Sequence, residues 1–185
     1  MRTTRSNLSV GAIILGLGAL LMCAALPARA WELGVINTWI RGQRPQGGTA
    51  TAHGGSLMLR QDIWRYADVS LRAGYVRSDC FKVYYVPLEG TASFKYPLCD
   101  DRLVPFLGLG LGYHFFTSGT IALRNSPSIF PMLGLDWRFS TKKKWSLYIE
   151  GRWEFINAKV DSGSVQGSTA KFTGPGGSWG VSYRF

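Results

Sequence analysis

Apolar residues occur at every second position over long stretches of this chain. In the segment WSLYIEGRWEF, which runs from Trp145 to Phe155, the odd-numbered residues are Trp, Leu, Ile, Gly, Trp and Phe. The even-numbered residues are Ser, Tyr, Glu, Arg and Glu. A period of two is typical of a β-strand with one apolar and one polar face. The segment is therefore predicted to be a strand whose two faces meet different surroundings.

The same alternation predicts further strands along the chain. The apolar positions of the clearest ones are Val69, Leu71, Ala73 and Tyr75; Leu88, Gly90, Ala92, Phe94 and Tyr96; Leu107, Leu109, Leu111, Tyr113 and Phe115; Leu133, Leu135, Trp137 and Phe139; and Trp179, Val181, Tyr183 and Phe185. A shorter alternation surrounds Leu57 and Leu59. The first segment, near 31–41, has an ambiguous phase because Val35 and Ile36 are both apolar. Together these segments give eight predicted strands.

Short and long connections alternate between the predicted strands. The short connections lie near 65–67, 99–102 and 140–144, and the long ones lie near 43–53, 79–83, 118–128 and 161–177. This alternation is typical of barrels that cross a bacterial outer membrane. We therefore expect an all-β protein, an eight-stranded antiparallel up-and-down transmembrane β-barrel with short periplasmic turns and longer extracellular loops.

Residues 1–30 have the pattern of a secretory signal peptide. Arg2 and Arg5 precede the apolar residues 10–26, and the sequence ARA then supplies a small-x-small cleavage pattern. The apolar stretch is shorter than the ~20 residues that a membrane-spanning helix needs. The chain is therefore predicted to consist of a signal peptide, 1–30, and one outer-membrane β-barrel domain, 31–185.

Alternation alone does not distinguish a membrane barrel from a water-soluble barrel such as a lipocalin, whose apolar side chains point inwards. Aromatic residues near the strand ends of the apolar faces favour the membrane barrel, because such residues form girdles at the two membrane interfaces. In a membrane barrel the polar faces line the lumen. The predicted lumen charges are Arg60, Asp62, Arg72, Glu89, Lys95, Asp136, Arg138, Glu150, Arg152, Glu154 and Arg184.

These acids and bases are predicted to close the lumen as a network of ion pairs, because an unpaired charge in a narrow, poorly hydrated interior is costly. Glu150, Arg152 and Glu154 follow one another on one face, about 7 Å apart at a rise of about 3.3 Å per residue, which is too far for contact along the strand. Their partners are therefore expected on neighbouring strands. The simplest candidates are Asp136, Arg138 and Arg184.

The run Gly108-Leu-Gly110-Leu-Gly112 is predicted to belong to a strand and not to a nucleotide-binding loop. Its period is two, and no helical pattern follows it. Glycines on the lumen face leave room for long side chains from across the barrel, for which Arg152 and Tyr148 are candidates.

The last segment carries a family resemblance. It has the form apolar-x-apolar-x-Tyr-x-Phe, and together with the signal peptide and the segment VPFLGLGLGYHFF it resembles the small outer-membrane β-barrels of the OmpA/OmpW-like superfamily. The resemblance implies that the barrel-assembly machinery reads the last strand. The matching residues here are Trp179, Val181, Tyr183 and Phe185.

The chain is basic, with a net charge of +10. A secreted membrane barrel meets the phosphates of lipid head groups more readily than it meets nucleic acid, although both are polyanions. We therefore expect a monomer in the bacterial outer membrane that contacts lipid and lipopolysaccharide and binds no nucleic acid. The basic residues expected at the loop ends are Arg41, Arg44, Lys82, Arg124, Lys159 and Lys171.

No set of residues predicts an enzyme, a cofactor or a metal. Some barrels of this appearance are lipid A deacylases with a His-x-Ser-Asn motif on a late strand, but the corresponding segment here keeps only Asn157. His114 and Ser118 are close in sequence, although a nucleophile also needs an oriented base and oxyanion donors. Neither His114 nor His53 is expected in a metal-ligand cluster. The predicted function is a non-enzymatic structural or surface-interaction barrel, with a lipid A-modifying enzyme or a narrow channel as the alternatives.

Overall fold

The computed structural model describes residues 30–43, 49–78, 83–117, 122–139, 142, 144–162, 169–171 and 173–185. Its strands are β1 (Trp31–Gln43), β2 (Thr49–Trp64), β3 (Ala67–Ser78), β4 (Val83–Lys95), β5 (Leu103–Phe116), β6 (Ala122–Leu123), β7 (Ser126–Arg138), β8 (Trp145–Ser162), β9 (Thr169–Lys171) and β10 (Gly174–Arg184). Within these ranges no helix is long and apolar enough to cross a membrane. The predicted signal peptide lies outside them, apart from Ala30.

The eight long strands form one closed antiparallel sheet. Each pairs with the next long strand along the chain, in the order β1, β2, β3, β4, β5, β7, β8 and β10, and β10 pairs back with β1. The closing register runs from Glu32 opposite Arg184 to Ile40 opposite Gly176. The short strands β6 and β9 add to the ends of β8 and β1. The predicted eight-stranded up-and-down barrel is confirmed.

The two ends of the barrel carry different connections. We call the end with residues 65–66, 96–102 and 139–144 the turn end and the opposite end the loop end. At the loop end, 44–48 and 79–82 are longer than the turn 65–66 but shorter than the turns 96–102 and 139–144, so the extra length lies in the two connections that contain β6 and β9.

Strand β2 begins earlier than the sequence pattern indicates. The outward positions of its first half are Thr49, Thr51, His53 and Gly55, which carry no apolar signal. The segment is a strand because it pairs along its length with β1 and over most of it with β3.

The exterior of the barrel is apolar and the interior is polar. Leu107, Leu111 and Leu133 are 64%, 63% and 69% exposed on the outer wall, whereas Glu154 and His114 inside have no exposed surface. A water-soluble barrel has the reverse arrangement. The outer wall therefore suits hydrocarbon.

Aromatic side chains cluster on the outer wall near both ends. At the turn end, Trp145 packs on Tyr183 with ring centroids 4.9 Å apart, and Trp137 packs on Phe139 at 6.0 Å. At the loop end, Tyr75 stacks on Tyr84 at 5.5 Å. Two such bands match the interfacial girdles of membrane barrels.

The structure fixes the phase of the first strand. Val35 faces outwards and is 65% exposed, whereas Ile36 faces inwards and is 2% exposed. Ile36 belongs to an interior cluster with Met58, Phe106 and Tyr148. The lumen is therefore filled partly by apolar side chains, which is why hydrophobicity alone could not set the phase of β1.

Candidate functional site in the barrel interior

The structure places all eleven predicted lumen charges on the inward face. Nine of them are less than 10% exposed, and Asp62 and Arg184, near the turn end, are 20% and 22% exposed. Two further acids, Glu32 and Asp68, are also buried inside. Glu32 was missed because the phase of β1 was ambiguous. Asp68 was missed because the predicted third strand began one residue after it.

A group of ion pairs fills the interior near the turn end. Arg60 is paired with Asp136 and lies 3.6 Å from Glu32, measured from Nη1 to Oε1. Arg184 reaches the other oxygen of Glu32 at 3.4 Å. Ser146 Oγ donates a 3.3 Å hydrogen bond to Glu32. Each acid here therefore has a base or a hydroxyl donor beside it.

Lys95 and Arg138 complete the turn end of the network. Lys95 is paired with Asp62 and lies 3.6 Å from a carboxylate oxygen of Asp68. The Nη1 of Arg138 donates a hydrogen bond to the carbonyl of Asp101 at 3.5 Å, and its backbone nitrogen donates to the carbonyl of Arg102 at 2.8 Å. Arg138 thus contacts a turn rather than a carboxylate.

The centre of the lumen is crossed by a two-point ion pair. Arg72 on β3 donates to Glu150 on β8 through Nη1 at 3.0 Å and through Nη2 at 2.8 Å. Nη2 also lies 2.6 Å from the hydroxyl of Tyr148. Such bidentate pairs fix geometry as well as charge. The contact joins opposite walls of the barrel.

Arg152 is shared by two glutamates nearer the loop end. Its Nη1 donates to Oε2 of Glu89 at 2.8 Å, and its Nε lies 3.4 Å from Oε2 of Glu154. The guanidinium carbon of Arg152 lies 4.9 Å from the ring centroid of Phe130. Arg152 is therefore held by two charges and one aromatic face.

The prediction that the charges of β8 pair with residues on neighbouring strands is wrong. Glu150 pairs with Arg72 on β3 and Arg152 pairs with Glu89 on β4, across the lumen and not on neighbouring strands. The register of β7 and β8 places Asp136 opposite Tyr148, so that Asp136 is free to meet Arg60. Contact along β8 also occurs, because the long side chains of Arg152 and Glu154 bend towards each other.

The space above the lumen glycines is filled from the adjacent strand. A Cβ on Gly110 would lie 2.2 Å from the Phe130 ring, and one on Gly108 would lie 2.8 Å from Met132 Cε. Both large side chains come from β7. The prediction that Arg152 and Tyr148 occupy this space from across the barrel is wrong.

His114 lies in the interior beside two groups that the sequence did not connect with it. Its Nε2 is 2.8 Å from Ser128 Oγ and 3.3 Å from Glu154 Oε1. Ser118, the serine considered from the sequence, lies outside the described residues. Glu89, His114 and Glu154 offer ligand atoms within 4.8 Å of one another, a grouping of metal-ligating side chains that the sequence did not predict.

Apolar side chains occupy the interior beyond His114, towards the loop end. Ala52, Val76 and Tyr85 are buried together, with Phe116 packed against them. Tyr85 contacts His114, with ring centroids 5.4 Å apart. The interior thus changes from charged to apolar along the barrel axis.

The outer wall carries bases at the loop end. Arg41 on β1, Arg77 on β3 and Lys159 on β8 are exposed. Arg77 lies over the ring of Tyr84, 5.8 Å from its centroid. Among the other bases named from the sequence, Arg124 is exposed, Arg44 and Lys82 lie outside the described residues, and the side chain of Lys171 is not described.

The four residues matched to the assembly signal lie on β10 and at its end. Trp179, Val181 and Phe185 are exposed on the outer wall. Tyr183 packs against Trp145 in the turn-end band. The backbone nitrogen of Phe185 donates to the carbonyl of Trp31 at 3.0 Å, which continues the closing contact between β10 and β1.

No family model matches the chain, and no curated protein sequence matches it. Solved structures do. Neisserial surface protein A is 13% identical over 85% of this chain and 100% of its own, with a TM-score of 0.66. OprG of Pseudomonas aeruginosa is 13% identical over 86% and 97%, with a TM-score of 0.63. The N-terminal β-barrel domain of Pseudomonas aeruginosa OprF is 14% identical over 84% and 98%, with a TM-score of 0.50.

The likeness extends over nearly the whole of each compared chain, and the apolar outer wall and charged interior agree with it. At this identity the likeness establishes the fold. The chain therefore has the eight-stranded β-barrel fold of small outer-membrane proteins such as those compared.

Proposed function

We propose that the protein is a non-enzymatic β-barrel of the bacterial outer membrane with a closed lumen, and that it acts through its outer wall and loop end. The observation that carries this proposal is the filled interior. Ion pairs occupy it from Glu32 to Glu154, and an apolar cluster of Ala52, Val76 and Tyr85 follows. Neither a solute path nor a substrate route fits such an interior.

Two barriers in series oppose ion conduction. In the ion-paired section, charges such as Arg72 and Glu150 satisfy each other and offer little attraction to a passing ion. In the apolar section, an ion would lose its hydration shell without gaining a charged partner. The narrow-channel alternative is therefore disfavoured.

The interior also disfavours the enzyme alternative. The His114–Ser128 pair is fully enclosed, since the two residues are 0% and 6% exposed. A lipid substrate reaches the outer wall and not this pair. Asn157, which was matched to the deacylase motif, lies on the exposed face of β8.

The loop-end wall supports contact with the phosphates of lipopolysaccharide. Arg41 and Arg77 are exposed on the same wall as the aromatic residues Tyr75 and Tyr84, where the head groups of an outer leaflet would lie. Bases at this depth interact with anionic head groups by roughly 1 kcal/mol each. The wall thus offers apolar, aromatic and basic layers in the order that a phosphorylated glycolipid needs.

Binding of bisphosphorylated lipid A to the barrel tests this contact. The R77Q variant should bind it several-fold more weakly than the wild type, and R65Q provides a matched control. Arg65 also lies over an aromatic ring, 5.5 Å from that of Tyr66, but at the turn end. Equal affinities for R77Q, R65Q and the wild type would refute the lipid contact.

Conductance in planar bilayers tests the closed lumen. The wild-type barrel should give no steady ion current, and lipid A incubated with it should keep all of its acyl chains. Steady single-channel current would favour the channel, and release of fatty acid would favour the enzyme.

A further inference from the structure

The interior carries one more acid than base among the described residues. The inward-facing bases are Arg60, Arg72, Lys95, Arg138, Arg152 and Arg184, and the inward-facing acids are Glu32, Asp62, Asp68, Glu89, Asp136, Glu150 and Glu154. The excess negative charge is confined to one part of the interior. Glu89 and Glu154 share a single base, Arg152, whereas Glu150 has Arg72 to itself.

A histidine lies at the position of this excess charge. Glu89 on β4, His114 on β5 and Glu154 on β8 are 4%, 0% and 0% exposed. One ligand atom from each lies within 4.8 Å of the others. Three strands thus present one imidazole and two carboxylates to a common point that solvent does not reach.

Arg152 leaves part of this group unused. Arg152 contacts one oxygen of each carboxylate, Oε2 of Glu89 and Oε2 of Glu154. Its described contacts do not include the Oε1 atom of either glutamate. Oε1 of Glu154 is turned towards His114, 3.3 Å from Nε2. In a metal site, a residue placed as Arg152 is would orient the two carboxylate ligands without binding the metal itself.

Buried polar atoms at this point lack hydrogen bonds. Within the described ranges, neither carboxylate oxygen of Glu154 accepts a hydrogen bond, and His114 Nδ1 has no partner. Buried polar atoms are paired in the great majority of cases, and an unpaired one costs about 1–3 kcal/mol. The atoms without a hydrogen bond belong to the same cluster as the excess negative charge.

We propose that Glu89, His114 and Glu154 bind one divalent transition-metal cation inside the barrel. Imidazole with carboxylates is a ligand set for Zn²⁺ and its neighbours, whereas Mg²⁺ and Ca²⁺ prefer oxygen alone. Ligands about 2 Å from zinc in a tetrahedron are ~3.3 Å apart, so the side chains need to move inwards by roughly an ångström. Three protein ligands leave the fourth position for water.

The site binds the metal without offering it to a substrate. The apolar cluster of Ala52, Val76 and Tyr85 lies beyond it on the loop side, and the Arg72–Glu150 pair lies on the turn side. The cation therefore enters while the barrel closes and afterwards holds β4, β5 and β8 together. This inference does not depend on the proposed lipid contact.

Metal content after refolding tests the site. The barrel is refolded in detergent with Zn²⁺, treated with a chelator, and separated from free metal, and zinc per folded chain is then measured. The wild type should retain about one zinc per chain. H114N and E154Q should retain less than a tenth of that amount.

The second histidine provides the matched control. His53 is exposed on the outer wall, so H53N should retain zinc as the wild type does. Folding of each variant is checked by its shift between heated and unheated samples on a denaturing gel. If H114N or E154Q does not fold, the visible spectrum of the Co²⁺-refolded wild type decides, because tetrahedral nitrogen and oxygen ligands give an intense d–d band.

Three results would overturn the proposal. The first is that the wild-type barrel refolded in Zn²⁺ retains no zinc. The second is that zinc retention is lost in H53N but kept in H114N. The third is that the Co²⁺ spectrum of the refolded wild type is identical to that of the free ion. Each would leave Glu89, His114 and Glu154 as a buried polar cluster that binds no metal.

Discussion

Arg152 is the residue on which the charge balance of the interior depends most. It is 6% exposed and is the described counter-ion of both Glu89 and Glu154. R152M keeps much of the packing on Phe130 but leaves two buried carboxylates without their base. We expect the free energy of unfolding to fall by roughly 3–5 kcal/mol, measured by urea unfolding in detergent or lipid.

Arg184 provides the control for this prediction. It also contacts two acids, Glu32 and Asp62, but at 3.4 and 3.5 Å and with 22% of its side chain exposed. R184M should therefore cost at most about 1 kcal/mol, as partly solvated ion pairs do. Equal losses for the two variants would show that water reaches Arg152 as well.

Cys99 has a backbone conformation that L-residues avoid. Its φ is 51°, and Asp100 and Asp101 follow with φ of 57° and 61°. A left-handed residue costs about 1–2 kcal/mol unless it is glycine. C99G should therefore raise the free energy of unfolding by about 0.5–1 kcal/mol. C99A should not, since alanine keeps the strain, and a gain in both variants would assign the effect to loss of the thiol.

Alternation predicts which face a residue occupies but not which residue it meets. Glu89, Arg152 and Glu154 were placed inside from the period of two alone. Their pairing across the lumen depends on the stagger of the strands around the barrel, which the pairing registers determine. The sequence analysis considered only the sequence neighbours of His114, whereas its polar contacts come from β7 and β8.

At the scale of the strand, β10 has two roles that are separable by experiment. It pairs with both β8 and β1, and it carries the residues matched to an assembly signal. Phe185 is 62% exposed, so its side chain contributes little packing. Deletion of Phe185 is expected to reduce the yield of barrel in the outer membrane far more than it reduces the stability of barrel refolded in detergent.

Two measurements on one variant check this prediction. Pulse-labelled insertion in cells reports recognition, and urea unfolding of the refolded protein reports pairing. Val35→Ala is the control, because it shortens an outward side chain of β1, opposite β10, without touching any of the four residues matched to the signal. Normal insertion of the deletion variant would remove Phe185 from the signal.

The limits of the strands were less predictable than their number. β7 begins at Ser126, seven residues before the first alternating leucine of that segment. Its first part, SPSIFP, contains two prolines and little alternation. Pairing with β5 along this part, and with β8 at Ser128 and Ile129, extends the strand there. Such extension is a property of the sheet and leaves no local pattern in the sequence.

At the scale of the whole molecule, the apolar wall and closed sheet predict where the protein is found. It should fractionate with the outer membrane and migrate differently before and after heating on a denaturing gel, because a closed barrel resists unfolding by detergent. Outward leucines such as Leu133, which is 69% exposed, are more stable in the hydrocarbon of a membrane than in water. Recovery as a soluble periplasmic protein would contradict this assignment.

The ion pairs that cross the lumen also have a consequence for the order of folding. Arg72 and Glu150 are 78 residues apart, and Arg152 and Glu89 are 63 apart, on strands that meet only when the sheet has curled round. Hairpins such as β3–β4 can form earlier from local contacts. We therefore expect the crossing pairs to form after the rate-limiting step of folding. R72M should leave the refolding rate nearly unchanged and speed unfolding, as stopped-flow fluorescence in lipid vesicles would measure. Slower refolding would show that the Arg72–Glu150 pair already forms in the transition state. The charges of the lumen would then guide closure of the sheet instead of stabilising the closed barrel.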